Sequence, residues 1–264
     1  MGKIIAIANN KGGTGKTSTT INLGASLVNL GEKVLLVDMD SQANCSKGLG
    51  IILKTGDISI RDVLVDPSHG ISRIIRQTAV DNLDIAPAHI NLSTADLELA
   101  SDVGGSNRLS VALSEVCNSY DHILIDTPPY LGILTINALV AAPSVIVPME
   151  AEPYALDGMD VLEKTLEKTR LYLKHDIEIL GVLVTKFRRG TTLHTEMLEQ
   201  LRKYWTEKVF DTVIHINIDV ASAAIDQLPL VVCKPQSKAA QDYTQLAEEV
   251  LRREQKQKSN LNGK

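Results

Sequence analysis

Two lysines, a threonine and three aspartates carry the chemistry this chain could perform. The run Asn10-Lys11-Gly12-Gly13-Thr14-Gly15-Lys16-Thr17 follows the apolar stretch Ile4–Ala8 and precedes a helical pattern. In that setting glycines let successive N–H groups curl inward onto phosphate oxygens, and the next helix adds its positive dipole end. Lys16 would then reach the β- and γ-phosphates of a nucleoside triphosphate, and the Thr17 hydroxyl would bind Mg²⁺. The expected nucleotide-binding residues are Lys11, Gly12, Gly13, Thr14, Gly15, Lys16, Thr17 and Ser18. The strict pattern GxxxxGK[ST] is broken, because Asn10 stands where its first glycine would be, and Lys11 is an extra cation five residues ahead of Lys16.

Two apolar runs end in carboxylates. Lys33–Asp38 leads into Met39-Asp40-Ser41-Gln42, and Ile123-Leu124-Ile125-Asp126 leads into Thr127-Pro128-Pro129. An apolar strand ending in aspartate can hold Mg²⁺ through water, the role expected of Asp126. Taken alone, an N-cap aspartate is the structural alternative for either Asp38 or Asp40.

These residues need a frame that brings them together. Short β-branched runs alternate with helical patterns: strands at Ile4–Ala8, Lys33–Asp38, Leu83–Ala86, His122–Asp126, Ser144–Pro148, Ile179–Thr185 and, more weakly, Thr212–Ile214. Helices are predicted at Thr17–Leu30, Leu92–Ala100, Leu109–Cys117, Leu134–Ala142, Leu156–Leu173, Leu193–Trp205 and Lys238–Arg253. The pattern predicts a single α/β domain over residues 1–253, a doubly wound, mostly parallel sheet with helices on both faces, and a polar, disordered tail at 254–264. In such a sheet ligands sit beyond the carboxyl ends of the strands, where the loop and both carboxylate runs would converge.

The composition narrows the classes further. Aromatics make up only 3% of the residues, so the core must be built from Val, Ile, Leu and Ala, as buried parallel sheets are. A net charge of −5 gives no general support to nucleic-acid binding, which would need a local basic surface. Three scattered cysteines offer neither a disulfide framework nor a metal pair. No apolar run is long enough to span a membrane, and the N-terminal run is too short for a signal peptide, so a cytoplasmic protein is expected.

The loop Lys-Gly-Gly-Thr-Gly-Lys-Thr, the segment Val37-Asp38-Met39-Asp40-Ser41-Gln42 and the segment Ile125-Asp126-Thr127-Pro128-Pro129 resemble the deviant Walker A family of P-loop ATPases, which includes ParA, Soj, MinD and nitrogenase iron protein. The later landmarks Pro148–Pro153, Gly181–Lys186 and Ser237–Val250 look more like ParA and Soj than MinD. The resemblance implies ATP and Mg²⁺ as cofactors, with Lys11, Lys16 and Asp40 as catalytic residues. In that reading Lys11 crosses to the partner's nucleotide in an ATP-bound homodimer, and Asp40 orients or deprotonates the attacking water. Thr17, Asp38 and Asp126 surround the metal. A ParB-like activator, non-specific DNA and a nucleoid location are also implied, without stable membrane association.

The departures cluster in the second half. The family's Asp-x-Arg appears as Phe187-Arg188-Arg189-Gly190, and its Ile-Pro-Arg-Asn appears as Ile214-His215-Ile216-Asn217. Lys186, Arg188 and Arg189, with Lys203, Lys208, Lys234 and Lys238, are therefore the cations that would have to rebuild a DNA-facing surface. Two other readings stay open here: a MinD-like membrane-surface ATPase, and a metabolic enzyme that uses ATP to activate a carboxylate.

Overall fold

The computed structural model describes residues 2–152 and 155–262; Pro153, the last of the Pro148–Pro153 landmark, lies outside the described residues, as do Gly263 and Lys264 of the tail. Seven strands form one sheet: β1 (Lys3–Ile7), β2 (Val34–Asp38), β3 (Arg76–Gln77), β4 (Leu83–Ala86), β5 (His122–Asp126), β6 (Ser144–Glu150) and β7 (Glu178–Thr185). Their order is β3-β4-β2-β5-β1-β6-β7, and every pairing is parallel except that of the short edge strand β3 with β4.

The helices are α1 (Lys16–Asn29), α2 (Asn44–Lys47), α3 (Ile60–Val65), α4 (Leu92–Ala100), α5 (Arg108–Ser114), α6 (Ile133–Ala141), α7 (Ala155–Leu173), α8 (Thr192–Trp205), α9 (Asp219–Asp226), α10 (Leu230–Cys233) and α11 (Lys238–Asn262). Side chains along a strand alternate between faces, so Ile4 and Ala6 of β1 enter one core with residues of α3 to α8. Ile5 and Ile7 enter the other, against α1, α10 and α11. Both faces are covered, which is why the strands read as unbroken apolar runs.

Register sets the height of the strand ends. Asp126 of β5 lies opposite Asp38 of β2 on one side and Ile7 of β1 on the other. The chain therefore leaves β1 for the glycine-rich loop at the same level at which two neighbouring strands end in aspartate.

Two expectations need correction. The tail is not all separate from the domain: α11 continues past Arg253 to Asn262, and Glu254 is only 6% exposed. Its carboxylate pairs with Lys3 and lies 3.2 Å from His122 Nε2, so the tail's first residue is an anchor onto β1 and β5. The weak strand at Thr212–Ile214 does not form as a regular strand; the segment joins β7 through isolated bridges, Val182 with Val209 and Phe187 with His215, and through single bonds such as Ile214 N to the Val184 carbonyl at 2.9 Å. Competition for the backbone donors around it interrupts the ladder. The N–H groups of Asp211 and Thr212 go to the Glu249 carboxylate and that of His215 to Asp242, each at 2.9 Å.

Candidate functional site

The loop between β1 and α1 takes its shape from Gly13 and Gly15, whose φ angles of 78° and 85° are left-handed. Neighbouring strand ends pin it. Thr185 Oγ1 donates to the Thr14 carbonyl at 2.8 Å, and Asn9 Nδ2 donates to the Pro148 carbonyl at 2.7 Å while its Oδ1 accepts from Lys11 N. Lys16 is 7% exposed and its Nζ donates to the Lys11 carbonyl at 2.9 Å, so its ammonium is folded across its own loop. Lys11 itself is exposed and lines a shallow cleft with Asn9, Gly12, Thr14, Glu150 and Glu152. Ser18 sits in the first turn of α1, where its carbonyl accepts from Asn22.

The carboxylates converge beside the loop. Thr17 Oγ1 donates to Asp126 Oδ2 at 2.7 Å, and Thr20 Oγ1 approaches Asp126 Oδ1 at 3.3 Å. Asp38 is fully buried; its Oδ2 accepts from the N–H and hydroxyl of Ser46, at 2.9 and 2.7 Å, and its Oδ1 from Asp40 N. Asp40, 9% exposed, accepts from Gln42 N at 3.0 Å.

Electrostatics shows what the cluster lacks. Burial, with the nearby Asp38 and Asp40 charges, holds the Asp126 carboxyl well above the usual carboxylate range, against the lowering pull of Thr17 and Lys16. Burial likewise pushes Asp38 up to about 6, although Ser46 and the Asp40 N–H stabilise its ionised form. The Lys16 ammonium is lowered by its own burial and raised by Asp126 and Asp40. Two of the three carboxyls are thus held toward their protonated forms beside one buried ammonium, and a divalent cation would favour the ionised forms.

The residues fit Mg²⁺ with a nucleotide. Among the described residues no group of three or more His, Cys, Asp or Glu side chains is placed to hold a metal unaided. Mg²⁺ suits such a site, because it is held by one or two protein groups together with substrate phosphates and water. The loop offers matching donors: the Thr14 hydroxyl is buried with no protein partner, as a phosphate contact would require.

Comparison with known proteins decides the family. A family model described as an AAA domain matches residues 2–179. The chain is 44% identical to the sporulation initiation inhibitor protein Soj of Bacillus subtilis, covering 95% of this chain and 98% of Soj. The chain belongs to the ParA/Soj family of partitioning ATPases. It is also 39% identical to the chromosome partitioning protein ParA of Caulobacter vibrioides, over 96% of this chain and 95% of that one. Among solved structures, cobyrinic acid a,c-diamide synthase of Mycobacterium smegmatis with bound ATP analogue and magnesium superposes with a TM-score of 0.84. It is 30% identical and covers 96% of this chain and 95% of that one.

In the structure the loop residues and all three aspartates lie together, while the cations that would have to face DNA divide. Lys186 Nζ pairs with Glu150 at 2.7 Å, and lies 3.8 Å from where a Cβ on Gly13 would stand, so it borders the loop. Arg188 and Arg189 are solvent-exposed in the turn after β7. Lys234 and Lys238 are held by Asp219 and Asp242 at 2.8 and 2.7 Å. Sequence reasoning missed Ser46 and Thr185, which orient Asp38 and the loop: a lone serine after Asn44-Cys45 and a strand-end threonine carry no local signal of that role.

Proposed function

We propose that this chain is a Mg²⁺-dependent ATPase acting as a partition switch. ATP binding pairs two copies, the pair binds DNA without sequence preference, and a ParB-like protein speeds hydrolysis to reset it on the nucleoid. The observation that carries this reading is the opposite placement of two cations in one loop. Lys16 is buried over its own phosphate site, whereas Lys11 is exposed at the rim, where a facing copy could present its nucleotide. A second subunit's cation near the γ-phosphate stabilises charge only in the pair, so nucleotide state and pairing become linked. Asp40 is the residue proposed to act on the attacking water, with Thr17, Asp38 and Asp126 around the metal.

Light scattering with ATP, with ADP and without nucleotide tests it, alongside a DNA gel shift. ATP alone should double the mass, and Asp40→Ala should trap the pair and give a salt-sensitive shift. Equal mass in all three states would refute the switch.

The likeness to the Mycobacterium smegmatis synthase favours a second reading, carboxylate activation in a metabolic enzyme. The higher identity to Soj favours partition, and ATP turnover that required a small organic acid would reverse that preference. Among the described residues no helix is long and apolar enough to cross a membrane. A MinD-like role would show as ATP-dependent pelleting with liposomes, which is not expected.

A further inference from the structure

The segment that follows Asp126 is clamped by a residue outside every motif that defines the site. Thr127 Oγ1 donates to the Ile7 carbonyl at 2.8 Å, and Pro129 Cβ lies 3.8 Å from where a Cβ on Gly12 would stand. The segment 127–132 therefore abuts the phosphate loop. Two contacts then fix Tyr130. Its carbonyl accepts from Thr135 Oγ1 of α6, and its phenol donates to Asp96 Oδ2 of α4, both at 2.6 Å.

The phenol is a dependable donor. Burial and the bond to Asp96 raise its pKa, helped by the Asp96 and Asp40 charges, so it stays protonated near neutral pH. Gly132 leaves room for the ring, since a Cβ there would stand 2.6 Å from Tyr130 Cε2. Asp96 holds its position at a cost: Oδ1 is buried with no partner, 3.3 Å from the same Gly132 Cβ position.

We propose that Tyr130, anchored on Asp96, is a positioning residue for hydrolysis that holds segment 127–132 against the open end of the phosphate loop. The proposal rests on the ATPase reading above. ADP ends short of the γ-phosphate this segment would border, so the tether acts on the catalytic step and hardly on ADP binding. The Asp96 end lies on α4, so a displacement of α4 would also loosen the segment.

Steady-state hydrolysis of Mg-ATP by the full chain tests this, with mant-ATP and mant-ADP binding and melting temperature measured on the same samples. Tyr130→Phe and Asp96→Ala should each lower kcat about tenfold, the worth of one hydrogen bond to a charged group, with KM and ADP affinity held. The double variant should be no worse than either single one, and Asp96→Asn, which keeps an acceptor for the phenol, should recover most of the loss. Unchanged kcat in Tyr130→Phe would overturn the proposal. So would a loss that tracks melting temperature and is not relieved by Asp96→Asn, because the bond would then be merely structural. Failure of the wild type to bind mant-ATP would overturn the ATPase reading itself, a result distinct from binding and turnover that ignore Tyr130.

Discussion

The Thr17 hydroxyl donates to Asp126 at 2.7 Å, joining the first turn of α1 to the last residue of β5. In the proposed site these two residues would hold Mg²⁺, which would supply charge neutralisation at the phosphates. Thr17→Ala and Asp126→Asn should therefore each abolish the extra thermal stabilisation that Mg²⁺ adds to bound ATP. Differential scanning fluorimetry with ATP in Mg²⁺ and in EDTA measures this, and a Mg²⁺ increment that survives both substitutions would remove the pair from the metal site.

Asp38 gives a pH dependence with a definite sign. Its carboxyl is raised from 3.8 to about 6 in the folded protein, chiefly by burial, so the fold holds that proton more tightly than the unfolded chain. Its contribution is greatest below the unfolded value and is lost as pH rises toward the folded one, by up to about 1.4 kcal/mol per pH unit. Asp126 acts in the same direction. In nucleotide-free, Mg²⁺-free protein, the urea stability of wild type minus that of Asp38→Asn should fall as pH rises across this window. A flat difference curve would show that the buried carboxylate is not destabilised by its surroundings.

The two lysines should separate binding from pairing. Lys16→Ala removes the ammonium inside the loop and should weaken mant-ATP binding at least about tenfold, the loss of one charge-assisted contact to phosphate. Lys11→Ala should leave mant-ATP binding to the monomer nearly intact and abolish the ATP-dependent doubling of mass. If both variants lost binding equally, Lys11 would serve its own nucleotide and not a partner's.

How much of this was readable beforehand depends on range. The loop, Asp38 and Asp126 were legible because each motif is local and sits at a strand end, and parallel register does the rest. The first helix, expected to end at Leu30 and capped there, and the apolar runs of β2 and β5 followed from the same local rules. What sequence could not give was the competition between distant groups. Glu249 of α11 takes the Thr212 donor, so the chain at 212–214 joins β7 only through Ile214 N, and Ser46 is recruited to Asp38 only through the fold. The tail failed for a related reason: Glu254 reads as one polar residue among many until Lys3 and His122 are placed beside it.

DNA binding, if it runs through the turn after β7, should depend on Arg188 and Arg189 more than on Lys186. The two arginines are exposed, whereas Lys186 is paired with Glu150 at the phosphate loop. Arg188→Ala with Arg189→Ala should weaken DNA binding by the ATP-bound, Asp40→Ala protein and lower the slope of log affinity against log salt by about 2, one for each lost phosphate contact. Lys186→Ala should leave that slope unchanged and disturb nucleotide binding. A slope untouched by the double substitution would place the DNA surface elsewhere.

The carboxyl-terminal anchor can be tested without nucleotide. Glu254 is 6% exposed and faces Lys3, which is 29% exposed, and His122, which is 1% exposed and also lies 3.2 Å from Glu32 through Nδ1. Removing one member of a buried charged set leaves the others desolvated without their counter-charge, a loss of about 3–5 kcal/mol when burial is complete. Lys3 is partly solvated, which screens its share, so Glu254→Ala should cost about 2 kcal/mol. A chain ending at Arg253 should melt as low as Glu254→Ala, while one ending at Gln257 should recover part of the wild-type stability. Equal melting of all three with wild type would mean that α11 ends, energetically, at Arg253 after all.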